Sequence, residues 1–258
     1  MAKTIILNQA TLHPDYQGVD NKGKETWGSI VNQDVRIIHY YGKYESNGEL
    51  TTKFDTLPAD GECLLYDENT LIIGTYDNTY PSDHPRHSII PDARNEKLIL
   101  ALEYCMNNFE FDYILRICNT TYVDVNKMAD YFNTLPRTKV YDGARNLYNY
   151  ETFFVAGHSV FMSRDVVNLL VQCKEDYLAS SYPEDLAVGQ IIIHDLGYTS
   201  FDYLDTQYSY YPSHFFVTTE TSETISLHDN PAIFCYRIQH RLDIFDRVHE
   251  LVLERDNA

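Results

Sequence analysis

A chain of 258 residues with 44% hydrophobic content can bury a substantial core, as one large domain or two small ones. Its formal net charge of −18 excludes ordinary nucleic-acid binding, which needs Lys and Arg to neutralise phosphates, and it disfavours anionic lipid for the same reason. No segment approaches the ~18 apolar residues of an integral membrane helix, and the first apolar run is too short for a signal peptide. The five cysteines (63, 105, 118, 173 and 235) are scattered, odd in number and without a C-x-x-C pair, which argues against a disulfide framework and a structural zinc site. These features together predict a soluble, cytoplasmic protein.

Thr4-Ile5-Ile6-Leu7 reads as a buried strand ending at Asn8–Thr11, and Glu25 to Val31 as a short helix with Trp27 as a packing anchor. Val35 to Tyr41 is the second strand, closed by Gly42, and residues 43–62 are polar and turn-rich. Leu71–Gly74 is a third apolar run, ending in Thr75-Tyr76-Asp77-Asn78. The loop from Tyr80 to Pro91 holds His84 and His87; in a proline-rich loop these read as solvated histidines rather than a metal pair. Pro91 suits a first helical turn, and Ala93 to Asn107 carries Leu98, Ile99, Leu102 and Cys105 at helical spacing.

The stretch Phe111 to Lys127 organises the chain. Tyr113, Ile114, Leu115 and Ile117 form a buried strand that stops at Cys118-Asn119-Thr120-Thr121, after which Asp124 can cap a helix from Val125 to about Leu135. α/β proteins place ligands where buried strands end. The competing reading is an ordinary strand–turn–helix step in which Asp124 is only a cap.

Lys139 to Tyr141 and Thr152 to Met162 supply further strands, and Gly157 marks a bulge or a close backbone approach by a ligand. Ser163 should cap a helix to about Leu178, and Pro183-Glu184-Asp185 should open one through Ile193, stopped by Gly197. Tyr198–Leu204 and Ala232–Ile238 read as strands, and Arg241 to Glu254 as an amphipathic closing helix. The alternation of strands and helices predicts one α/β domain with a mostly parallel central sheet flanked by helices.

Five segments then stand in one order: W-G-S-I (27–30), V-R-I-I-H-Y-Y-G (35–42), F-D-Y-I-L-R-I-C-N-T-T-Y-V-D (111–124), F-V-A-G-H-S-V-F-M-S-R-D-V-V (154–167) and P-E-D-L-A-V-G (183–189). Together they resemble the Fringe and β-1,3-galactosyltransferase type of GT-A glycosyltransferase, and look most like its short viral and bacterial members with a degenerate Asp-x-Asp motif. The likeness spans about residues 4 to 250. It implies a single GT-A (Rossmann-like) domain over residues 1–258, with a nucleotide-binding part at about 1–125 and an acceptor and catalytic part at about 126–258. The implied activity is transfer of a sugar, with inversion, from a nucleotide-sugar donor (a UDP-sugar) to a hydroxyl of an oligosaccharide or glycan acceptor.

The resemblance also implies a divalent cation, Mn2+ or Mg2+, on the donor's diphosphate. The matching positions here are Cys118, Asn119 and Thr120, none a carboxylate, so weak metal binding or none is expected. Asn119, Thr120 and Thr121 are then expected to meet the ribose or phosphates directly. Positive charge for the leaving diphosphate is sought in Arg94, Lys97, Arg116, Arg237, His240 and Arg241, although for any single arginine a surface ion pair is the simpler reading. The nucleotide is expected between Asn8 to Thr11, the turn containing Asp77, and Arg116 to Thr121. Asp185 is the first choice for the catalytic base and Glu184 the second, against the alternative that both only favour a helix dipole. Gly157 and His158 are implied to line the sugar and acceptor site.

The rival class is a catalytically silent nucleotide- or sugar-binding protein that kept the fold. A nucleotidyltransferase is disfavoured, since there is no glycine-rich phosphate loop and no pair of metal carboxylates.

Overall fold

The apolar run after Lys3 forms β1 (Thr4–Gln9), the middle strand of a mixed sheet in a computed structural model. The structure describes residues 3–46, 49–51, 53–78, 81, 84–90, 92–148, 152–195, 214–216, 225–227 and 229–258. After β1 come α1 (Pro14–Glu25), a 3-10 turn at Trp27–Ser29, β2 (Val35–Ser46), β3 (Glu49–Thr51), β4 (Cys63–Asp67), β5 (Thr70–Tyr76) and α2 (Ala93–Asn108). Next are β6 (Tyr113–Cys118), β7 (Thr121–Val123), α3 (Val125–Thr134), β8 (Tyr141–Tyr148) and β9 (Thr152–Ser163). The remaining elements are α4 (Arg164–Gln172), α5 (Lys174–Ala179), α6 (Glu184–Gly189), a π-helical turn at Gln190–Asp195, β10 (His214–Phe216), β11 (Cys235–Arg237) and α7 (Leu242–Asp256).

The main sheet runs β4-β5-β2-β1-β6-β9-β8, with β3 attached to β2. Its four central strands, β5, β2, β1 and β6, are parallel, while β4, β9 and β8 add antiparallel edges. The small sheet β10-β11-β7 stands beside it. β1 alternates between two cores: Ile5 and Leu7 pack with α2, α4, α5 and α6, and Ile6 packs with α3 and α7. That double burial explains why the parallel strands read as continuous apolar runs. The expected α/β architecture with helices on both faces is therefore present.

Several local expectations change. A helix at 25–31 reduces to the Trp27 turn, and the true helix, α1, precedes it. It was hidden because its sequence, PDYQGVDNKGKE, buries only Val19, Asp20 and Gly23. The turn-rich stretch 43–62 includes the end of β2 and all of β3. The helix expected from Ser163 to Leu178 breaks at Cys173 into α4 and α5. Ser163 gives no side-chain cap: its hydroxyl accepts from Val140 N (2.9 Å) and donates to Asp165 (2.5 Å). The helix opened by Pro183 ends at Gly189 and passes into the π turn. Of the two late strands, Ala232–Ile238 shortens to β11, while Tyr198–Leu204, with the Gly197 stop, lies outside the described residues, as does Pro91.

Asp124 does cap α3, accepting from Lys127 N at 3.2 Å, and the Arg255 guanidinium of α7 clamps the same carboxylate. No helix among the described residues is long and apolar enough to cross a membrane.

Candidate functional site

β6 does not run straight into a helix. After Cys118 the chain turns through Asn119 and Thr120 and continues as β7, and three segments pin the turn. Asn119 N donates to Gln9 O at the end of β1 (3.3 Å), and Thr121 Oγ1 donates to His158 O on β9 (3.1 Å). Ile238 N and Gln239 N both donate to Thr120 O (3.0 and 3.2 Å), the second made possible by the left-handed Gln239 (φ 61°). β11 therefore wraps the turn, and its pairing sets Arg237 opposite Thr121.

The Arg237 guanidinium lies on Cys118 Sγ, and the Thr120 and Thr121 hydroxyls each stand 3.4 Å from the same sulfur. Burial alone would raise the Cys118 thiol, but Arg237 and the two hydroxyls outweigh it and hold the thiol below its ordinary range. Asn119 is buried, and its amide nitrogen has no hydrogen-bond partner among the described residues. Burial, with the Arg237 and Arg116 charges, pushes the His158 imidazole down to about 3, so it stands neutral beside them.

Arg116 is two residues earlier and enters the α2–α6 side of the sheet. Its Nη2 sits 2.5 Å and 2.7 Å from the two Glu184 carboxylate oxygens and also donates to Gln9 Oε1. Both members of the pair are buried, with the Tyr40 and Tyr177 rings beside them. Burial pushes the Glu184 carboxyl above its usual range while Arg116 pulls it back. Gly157 is required by this arrangement, because a Cβ there would collide with the Arg116 guanidinium. The close approach expected at Gly157 is thus made by an arginine of the same chain. Gly157 N–H in turn donates to Asp185 Oδ2 at 3.2 Å. Glu184 and Asp185, adjacent in α6, therefore part ways: one is locked to Arg116, and the other has no cationic partner within ion-pair distance among the described residues.

The remaining candidates divide. Thr11, Asp77 and Lys97 form a closed, buried brace in which Asp77 accepts from Thr11 Oγ1 (2.6 Å), Leu12 N (3.2 Å), Gly42 N (3.0 Å) and Lys97 Nζ (2.6 Å). Lys97 completes it by donating to Ala10 O (2.9 Å), so this lysine joins α2 to the strand ends rather than facing outward. Beside the brace a cavity of about 240 Å³ opens between Tyr44, Tyr76 and Asn78. Asn8 turns to the other face, where its Nδ2 meets His39 Nδ1 at 2.9 Å beneath Trp27. Arg94 pairs with Asp92, its own helix cap, at 2.6 Å, within the field of Glu184 and Asp185. Arg241 is exposed and pairs with Asp243 at 2.8 Å, and the exposed His240 ring packs on Tyr16 at 4.8 Å.

Gln9, Tyr40 and Tyr177 escaped the sequence reading, although Gln9 follows Leu7 on the same face of β1. The Tyr16–His13–Tyr44 ring series, with centroids 5.9 and 4.9 Å apart, also escaped it.

The cation implied by the resemblance does not fit these residues. Cys118, Asn119 and Thr120 offer a hard ion no carboxylate oxygen, and a guanidinium already lies on the sulfur. No group of three or more His, Cys, Asp or Glu among the described residues is placed to hold a metal. No protein-family model matches the chain, and no curated protein matches its sequence significantly.

Proposed function

We propose that the chain is a GT-A-type glycosyltransferase that moves a sugar, with inversion, from a uridine-based nucleotide-sugar donor to a glycan hydroxyl in the cytoplasm. One observation carries the reading. A guanidinium and a carboxylate that lack a partner of opposite charge among the described residues, Arg237 and Asp185, flank the dipeptide Gly157-His158 at the carboxyl ends of β1 and β6. Phosphate-binding donors and a base are what inverting transfer needs at one place.

In this reading the acceptor oxygen forms a bond to the anomeric carbon while the bond from that carbon to the diphosphate oxygen breaks. Asp185 takes the acceptor proton. Arg237, with Asn119 and Thr120, meets the negative charge that grows on the departing diphosphate, while Thr121 gives its hydroxyl proton to His158 O. Glu184 holds Arg116 and takes no part in proton transfer. The cavity between Tyr44 and Tyr76 suits a planar base.

The second reading, a silent nucleotide- or sugar-binding protein, is favoured by the absence of any carboxylate at Cys118–Thr120. Release of UDP from UDP-sugars, with and without oligosaccharide acceptors, separates the two. Turnover that Asp185→Asn abolishes supports the enzyme. Tight UDP binding without turnover across a panel of sugars and acceptors supports the binder.

A further inference from the structure

Among the described residues of this acidic chain, Arg237 is unusual for an arginine. Arg86, Arg94, Arg116, Arg137, Arg164, Arg241, Arg247 and Arg255 each have a carboxylate within 4.0 Å. Arg36 lacks one but donates to the Glu68 carbonyl at 2.9 Å and packs on Phe109. Among the described residues the half-buried Arg237 guanidinium has only the Cys118 sulfur. A half-buried cation with a thiol in place of a carboxylate has electrostatic demand left over. The described groups beside it include further donors, the Asn119 amide, without a partner among the described residues, and the Thr120 hydroxyl, with the Arg116 charge behind them. Such a set is built for an anion, and a guanidinium offers parallel N–H groups that match two phosphate oxygens.

We infer that this site holds the donor's diphosphate without a divalent cation, Arg237 supplying the positive charge and Asn119 and Thr120 the neutral hydrogen bonds. The inference rests on the nucleotide-sugar reading and adds to it the chemical means of holding the leaving group. Cys118 acts as a weak placeholder: its sulfur touches the guanidinium when no phosphate is present and yields it readily. A carboxylate at that position would close an ion pair with Arg237 and compete with the ligand, which accounts for a thiol there.

The test is calorimetric titration of the full chain with UDP, inorganic pyrophosphate and uridine, each in excess EDTA and in excess Mn2+. UDP and pyrophosphate should bind equally well in both. Arg237→Ala should weaken both by about 10- to 100-fold, the worth of charged hydrogen bonds, and leave uridine binding unchanged. Arg237→Lys, which keeps the charge but not the fork, should fall between, and Cys118→Asp should weaken metal-free binding while the fold, followed by circular dichroism, is kept. If Arg237→Ala does not fold, the Lys and Asp variants decide the matter alone. Binding that appears only with Mn2+ overturns the inference and leaves the glycosyltransferase reading standing. Full affinity in the Arg237 variants overturns it as well. No binding of UDP in either condition removes both.

Discussion

Two adjacent carboxylates, one locked and one open, lead to opposite expectations for two conservative substitutions. Glu184→Gln leaves the buried Arg116 guanidinium without its counter-charge, since both Glu184 oxygens lie within 2.7 Å of Nη2 and both side chains are buried. Removing one partner of such a pair costs about 3–5 kcal/mol. For a chain of this size that is a fall of on the order of 10 °C in Tm. Asp185→Asn keeps an oxygen to accept from Gly157 N–H, so it should cost about 1 kcal/mol or less. Loss of a general base should nonetheless slow sugar transfer by about 10²- to 10⁴-fold. The assay pairs urea unfolding with UDP release in the presence of acceptor, for both variants under the same conditions. The expected pattern is crossed: stability lost at 184, turnover lost at 185. Equal destabilisation by both substitutions, or full turnover in Asp185→Asn, would refute the division of roles.

Two further expectations follow from the same packing. Gly157→Ala should cost about 1–3 kcal/mol, because its Cβ meets a guanidinium that Glu184 and Gln9 hold in place. In an Arg116→Met background the penalty should largely vanish, a coupling that urea unfolding of the two single variants and the double variant measures. His39 is buried and its pKa is lowered to about 4. Below about pH 6.5 the unfolded chain therefore takes up protons that folded His39 and the likewise lowered His158 refuse, and each of the two should lower stability by about 1.4 kcal/mol per pH unit down to about pH 4. Urea midpoints at about pH 7 and about pH 5 check this, and His39→Gln should remove about half of the dependence; a wild-type midpoint that is higher at the lower pH contradicts it.

The parallel core was legible because its strands are buried on both faces: Ile5, Ile6 and Leu7, and Tyr113 to Ile117, leave no doubt about burial. α1 was not, since it carries two glycines and only three buried residues and draws its order from Pro14 and the His13 cap at its start. The site was legible by type rather than by partner. A carboxylate in the first turn after Pro183 and small polar residues after β6 are local signals. That Glu184 would serve Arg116, 68 residues away, and that Asp185 would not, depends on which faces β6 and α6 turn toward each other. Likewise Lys97 and Asp77 have the residue types of a phosphate site, yet the sheet edge uses them as a brace.

The reversal of strand direction between β6 and β9 has a mechanical consequence. Because β9 runs antiparallel, it pairs Tyr113 with Ser163 and extends past the end of β6, so Gly157 and His158 reach the site from inside a strand, where its register with β8 shifts between Val155 and Val160. A parallel strand would have delivered a loop there instead. The floor between Arg237 and Asp185 is thus an irregular stretch of a strand that the sheet holds on either side, while the segments around it are free to diverge. Selection can retune those segments without disturbing the strand that carries Gly157 and His158.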